Sequence, residues 1–176
     1  MPNGLLTLPT MSDRMVILDH EQVQRKLRRI AHQLHEENHT EKGIVIVGVA
    51  PRGATVAKRL VTMLEAISDL KVQHTELTLD KNAPLDKPIE LGCDASDLKD
   101  RTVVLVDDVL MSGRTLMHAA SFLMKVPLKK LTTVVLVDRR HRAFPIRADI
   151  VGLTLSTTMK EHISVELGKK DVVHLS

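Results

Sequence analysis

The sequence predicts an α/β domain built on a mainly parallel sheet, and three observations carry that expectation. Short runs of almost wholly apolar, mostly β-branched residues recur at Ile44–Val49, Val103–Val106 and Thr133–Val137. Such unalternating runs mark strands covered on both faces. Segments with a helical apolar period are interspersed with them, and strands alternating with helices require crossover connections and parallel pairing.

Taken in order, residues 1–15 lack clean periodicity, carry Pro2 and Pro9, and read as a flexible arm preceding a single domain over 16–176. From Asp19 to about Asn38 the pattern is helical, with Val23, Leu27, Ile30, Ala31 and Leu34 on one face. Asp19 and Gln22 have the spacing of a capping box. The strand Ile44–Val49 follows, then Pro51-Arg52-Gly53 and a helix to about Ser68 with Val56, Leu60, Leu64 and Ile67 facing inward. Val72–Leu79 alternates weakly and reads as a strand nearer the sheet edge. Asp80–Asp100 is polar, broken by Pro84 and Pro88, and reads as a mobile loop. Val103–Val106, a helix from Gly113 to Lys125, and Thr133–Val137 repeat the strand–helix–strand plan. The tail beyond Ala148 holds three short strand candidates: Ile150–Leu155, Ile163–Leu167 and Asp171–His174.

Composition narrows the function classes. The 176 residues are 43% hydrophobic and 27% charged, enough for one core without metal or disulfide staples. A net charge of +3 excludes a histone-like basic protein. Cys93 is the single cysteine, so no internal disulfide forms and a cytoplasmic home is expected. No basic start leads into a long apolar run, and no apolar run is long enough to span a bilayer, so neither a signal peptide nor a membrane partner is expected. Tryptophan and tyrosine are absent and Phe122 and Phe144 are the only aromatics, which argues against base stacking on aromatic platforms. The histidines lack metal-ligand spacing. His32 and His35 stand three apart on one helix, with no cysteine partner.

In doubly wound sheets ligands bind outside the carboxyl ends of the strands. Three loops fall there: Ala50–Gly53, Asp107–Thr115 and Asp138–Arg147. The most informative reads Val103-Val-Leu-Val-Asp107-Asp108-Val109-Leu-Met111-Ser112-Gly113-Arg114-Thr115. A buried strand delivers two adjacent carboxylates, and a loop with Ser, Gly and Thr opens into a helix. Amides at a helix start, with hydroxyls beside them, suit a phosphate dianion. Glycine permits close backbone approach. The carboxylates suit ribose hydroxyls or a hydrated magnesium ion. Together they describe a ribose 5-phosphate cradle. A lone Ser-Gly-x-Thr would read as a helix cap; two acids immediately before it argue for the cradle. The Walker A spacing is absent.

This segment resembles the phosphoribosyl-pyrophosphate (PRPP) signature of type I phosphoribosyltransferases. The resemblance runs from about Val16 to Leu167. Within the family it extends to the branch of pyrimidine-operon regulators that are also uracil phosphoribosyltransferases, through Ile17-Leu-Asp19, Arg29-Ile-Ala-His32, Val47-Gly-Val-Ala-Pro-Arg-Gly53, Val137-Asp-Arg-Arg-His-Arg142 and Pro145-Ile-Arg-Ala-Asp149. The resemblance implies the type I phosphoribosyltransferase fold, with a small hood mainly within 148–176. It also implies transfer of the phosphoribosyl group from PRPP to uracil, giving UMP and pyrophosphate, with Mg2+ arriving on PRPP and no direct protein ligand. Asp107 and Asp108 would hold the ribose hydroxyls. Val109 and Met111, Ser112, Gly113, Arg114 and Thr115 would surround the 5-phosphate side. Arg52 would neutralise the leaving pyrophosphate, Arg139 would face pyrophosphate or base, and Lys81 would stand in for an arginine of the mobile loop. Met111 replaces the carboxylate that takes the purine proton in 6-oxopurine enzymes, which disfavours a purine substrate.

The same resemblance implies a basic RNA-binding face comprising Arg25, Arg29, His32, Arg142 and Arg147, a leader stem-loop of messenger RNA as partner, and a homodimer or tetramer. Arg28 stands where threonine is typical, Glu37 where arginine is, and Leu153 where lysine is. The shortened Asp80–Asp100 loop keeps open a non-catalytic, nucleotide-sensing regulator, and a phosphoribosyltransferase for another base is the remaining alternative.

Overall fold

The computed structural model describes residues 14–158 and 160–176. Its order is β1 (Met15–Leu18), α1 (His20–Glu37), β2 (Gly43–Val49), α2 (Arg52–Ile67), β3 (Lys71–Thr78), β4 (Glu90–Leu91), a 3-10 turn at Ala95–Leu98, β5 (Thr102–Leu110), α3 (Arg114–Leu123), β6 (Lys130–Asp138), β7 (Ile150–Thr154), β8 (Ile163–Glu166) and β9 (Val172–Leu175). Six strands form the main sheet in the order β4-β3-β2-β5-β6-β7, parallel except for the antiparallel β4. A second sheet, β1-β9-β8, is antiparallel.

The apolar runs are unalternating because both faces of the main sheet are covered. Ile44, Ile46, Val104 and Val106 pack with Leu27, Ile30, Leu34, Val56, Leu60 and Leu64 of α1 and α2, and with Ile163, Val165 and Val173 of the small sheet. Val45, Val47, Val103 and Leu105 face Leu116, Ala119 and Leu123 of α3. Asp19 caps α1 reciprocally with Gln22, each side chain taking the other's backbone N–H at 2.8–2.9 Å. Helix α2 lies so close to β5 that a Cβ on Gly53 would sit 2.8 Å from Val106 O and 2.9 Å from Asp107 Oδ1.

Four expectations need correction. Residues 1–13 of the expected arm lie outside the described residues, but Met15 opens strand β1, which pairs with β9 at the far end of the sequence. Strand β7 pairs with β6 and belongs to the main sheet, so of the 148–176 segment, expected to supply most of the hood, only β8 and β9 enter the small sheet, with β1 as its third strand. The Asp80–Asp100 segment is not loop throughout. It contains β4, paired at Leu77–Leu91 and Thr78–Glu90, and a 3-10 turn that buries Leu98 completely. Ile67, expected inward, is 37% exposed at the last turn of α2.

Candidate active site

The chain runs from β2 outward to β3 on one side and, after β4, crosses back to β5 on the other, so the order of strands reverses between β2 and β5. A crevice opens at such a reversal. Pairing of β2 with β5 ends at Gly48–Val106, whereas β5 continues beside β6 to Leu110. Asp107 and Asp108 therefore belong to the strand itself, on the stretch that has lost its β2 neighbour, and not to the loop beyond it.

A cleft of about 240 Å3 fills this gap, lined by Arg52, Lys81 and Asn82, by residues 107–113, by Thr115, Leu116 and Val135, and by His162 and Ile163 from the approach to the small sheet. Asp107 and Asp108 are 3% and 2% exposed. Two carboxylates this close and this dry resist double ionisation. Burial foremost, and the charge of Asp108 next, push the Asp107 carboxyl up to about 7, against the opposing pull of Lys81. Three groups reach the pair. Lys81 Nζ lies 3.2 Å from Asp107 Oδ1 and 3.8 Å from Asp108 Oδ1, and Arg52 Nε lies 2.8 Å from Asp108 Oδ2. The Asp108 backbone N–H donates to Asp107 Oδ1 at 2.9 Å. Arg52 approaches off its N–H direction, leaving Asp108 Oδ2 without a hydrogen bond.

Beyond the acids the chain turns sharply. Gly113 adopts φ +88°, and its Cβ position is occupied by Ile146 Cγ2 at 2.7 Å, so both backbone sign and space demand glycine. The first-turn amides of α3 have no intrahelical acceptor. The Ser112 carbonyl is turned away, accepting from Ala143 N and Phe144 N at 2.9 Å each, while Ser112 Oγ accepts from Arg114 N at 3.3 Å. The Arg114 side chain leaves the loop to reach Asn82 O at 3.3 Å and to cover the Phe144 ring. Amides, two hydroxyls and a carboxylate pair in one cleft can hold a phosphate and a diol together.

The basic segment 139–147 behaves differently from expectation. Arg139 is 5% exposed and does not line the cleft. Its guanidinium donates to Thr157 Oγ1 (2.6 Å), Thr158 O (2.9 Å) and Met111 Sδ (3.0 Å), so it stands behind Met111 and not against a pyrophosphate. Arg142, expected on an RNA face, is spent internally on Asp138 Oδ1 (2.6 Å), Met111 O (2.8 Å) and Ile146 O (2.9 Å). His141 Nε2 adds a contact to Thr157 O at 2.6 Å. This segment is the frame that ties the phosphate loop to the chain around Thr157. Arg29 donates to Val151 O and Gly152 O at 2.6 and 3.0 Å, and Arg25 lies 3.7 Å from Glu21. His32 and Arg147 are exposed.

Asn82, His162 and Ile163 line the cleft without having been anticipated. Asn82 sits beside Lys81 in the sequence; the other two are held at the cleft by the antiparallel β8–β9 pairing, His162 against Ser176 and Ile163 against Leu175. Among the described residues no group of three His, Cys, Asp or Glu side chains forms a metal cage, and no helix is long and apolar enough to cross a membrane.

A reversal crevice floored by paired aspartates and walled by a glycine-bearing, helix-opening loop is the arrangement expected of a phosphoribosyltransferase. The comparison with protein families agrees: residues 15–169 match the phosphoribosyl transferase domain, and the chain belongs to that family. More particularly, it is similar to proteins named bifunctional protein PyrR. The protein of Alkaliphilus metalliredigens is 36% identical over 178 residues, spanning 94% of this chain and 96% of its own length. That of Bacillus subtilis is 37% identical over 170 residues, spanning 92% and 94%. Among solved structures, a hypoxanthine-guanine phosphoribosyltransferase from Bacillus anthracis superposes with a TM-score of 0.68 at 21% identity, covering 81% of this chain and 83% of its own. A hypoxanthine phosphoribosyltransferase from Trypanosoma cruzi gives 0.70 at 18% identity, covering 80% and 81%. At those identities the structures bear on the fold alone.

Proposed function

We propose that the chain transfers the phosphoribosyl group of PRPP to uracil, releasing pyrophosphate and forming UMP, as a homodimer or tetramer. The observation that carries this reading is the buried Asp107–Asp108 pair on the stretch of β5 that has lost its β2 neighbour, shortly before a helix-opening loop. In the reaction, ionised Asp107 and Asp108 accept hydrogen bonds from the ribose 2- and 3-hydroxyls and fix the sugar. The amides of the Met111–Thr115 loop, with the Ser112 and Thr115 hydroxyls, hold the 5-phosphate at the start of α3. Displacement at C1 builds negative charge on the departing pyrophosphate. Arg52, at the first turn of α2 and 56% exposed in its side chain, supplies the compensating charge on that side. The hard oxygen donors of Asp107 and Asp108 would suit hydrated magnesium arriving on PRPP, and such an ion would supply further positive charge for the pyrophosphate.

Met111 at the base side cannot accept a proton, which favours uracil over a 6-oxopurine. The similarity to PyrR proteins over nearly the whole chain supports the same choice. It also supports an RNA-binding role, for which Arg25, Arg28, His32 and Arg147 are exposed and able to meet a phosphate backbone.

The test is product formation from PRPP, Mg2+ and uracil, with hypoxanthine, guanine and xanthine in parallel. UMP alone is expected. Purine nucleotide without UMP would overturn the base assignment. No product from any base, with PRPP or UMP still bound, would replace the enzyme by a nucleotide-sensing regulator.

A further inference from the structure

The acidic pair already carries a cation, and the chain supplies it. Lys81 Nζ sits between the two carboxylates, 3.2 Å from Asp107 Oδ1 and 3.8 Å from Asp108 Oδ1, with its side chain one-third exposed. The segment around it is folded to point inward. Asp80 Oδ1 accepts the backbone N–H groups of Asn82 and Ala83 at 3.0 and 3.1 Å, Arg114 from the phosphate loop holds Asn82 O, and Pro84 is buried. On the other side of the pair, buried Asp108 Oδ2 is met by the charge of Arg52, whose Nε lies 2.8 Å away without forming a hydrogen bond. Two buried carboxylates offer hard oxygen donors to a divalent cation, and the ammonium that lies between their Oδ1 atoms competes for the same electrostatic position.

We propose that Lys81 is a resident counter-ion of the Asp107–Asp108 pair, which keeps the ligand-free protein from taking up a free divalent cation. The consequence for turnover rests on the transferase reading: the metal enters only as part of its complex with PRPP, whose phosphates and hydroxyls give Lys81 and the aspartates new partners at once. The counter-ion assignment itself needs no substrate.

The experiment uses Mn2+ as probe, titrated into the full-length ligand-free protein and followed by electron paramagnetic resonance, with Mg2+ calorimetry alongside. Lys81→Met keeps the bulk of the side chain and removes its charge. It is expected to bind one Mn2+ at least tenfold more tightly than the wild type, and the added change Asp108→Asn is expected to abolish that gain. Lys81→Arg, which keeps the charge, is expected to behave as wild type. Equal Mn2+ binding by wild type and Lys81→Met would overturn the proposal. So would a gain in Lys81→Arg as large as in Lys81→Met, because the cause would then be an opened loop and not a lost charge. A protein that shows the Lys81→Met gain but binds no PRPP would keep the counter-ion and lose the transferase reading.

Discussion

Asp171 offers the sharpest test of how the small sheet is held to the body. It is 1% exposed, just ahead of β9, and its carboxylate gathers partners from three elements. Oδ2 pairs with Arg59 of α2 and accepts from Gln24 Nε2 of α1 at 2.6 Å. Oδ1 accepts from Gly168 N at 3.0 Å in the β8–β9 turn. The Asp171 N–H in turn donates to His20 Nδ1 at 3.0 Å. Asp171→Asn keeps the shape but removes the charge, stranding Arg59, whose side chain is only 23% exposed. Breaking a buried pair by removing one member costs about 3–5 kcal/mol, and the partial solvent access of Arg59 puts this case near about 3 kcal/mol. For a chain of this size that corresponds to a fall in Tm of about 6–12 °C. Calorimetry and urea unfolding would read it, with hydrogen exchange localising it: β8 and β9 amides should exchange faster while those of β2, β5 and β6 keep their order of protection. The double change Asp171→Leu with Arg59→Met should recover part of the loss. A destabilisation under about 1 kcal/mol, or exchange accelerated equally across both sheets, would refute the tether.

Two further predictions concern the cleft. Because the Asp107 carboxyl is raised to about 7, it carries a proton at lower pH, so PRPP affinity should weaken about tenfold per unit below that value. The stability of the ligand-free protein should run the other way: this group's contribution is complete below the unfolded carboxyl pKa near 4 and lost as pH rises through about 7. Asp107→Asn should flatten both profiles in calorimetry and in denaturant titration, and a PRPP affinity insensitive to pH in the wild type would contradict the assignment. Arg139→Met releases Met111 Sδ and the Thr157–Thr158 backbone together. Loss of charge-assisted bonds worth about 1.5 kcal/mol should raise KM for the base about tenfold. kcat should change little, and Arg139→Lys should not restore the forked grip. A kcat loss at unchanged KM would place Arg139 in the chemistry instead.

What the sequence disclosed followed its periodicities. The three apolar runs are β2, β5 and β6, since strands buried on both faces have no alternative pattern to show, and the Asp19–Gln22 box set the start of α1. The acidic pair and the phosphate loop were legible because adjacent residues make them. Features built from distant chain segments were hidden. Met15–Leu18 is four residues long and becomes a strand only by meeting Val172–Leu175, and His162 enters the cleft through its own pairing with Ser176 at the open end of the β8–β9 hairpin. Charge runs were misleading for a related reason. Arg139 and Arg142 look like an exposed basic cluster in one dimension, yet they are spent on carbonyls, a threonine, a thioether and the Asp138 carboxylate, several of them supplied from elsewhere in the fold.

The missing Cβ at Gly53 has a consequence for how such a protein diverges. With no room between α2 and β5, the helix that presents Arg52 and the strand that presents the aspartates form one inflexible floor, closed to drift in sequence. The walls are another matter: Met111 and Lys81 lie outside the strands, and Arg139 latches Thr157 and Thr158 through its side chain. A lineage can exchange the latch and the wall without rebuilding the floor that carries the aspartates.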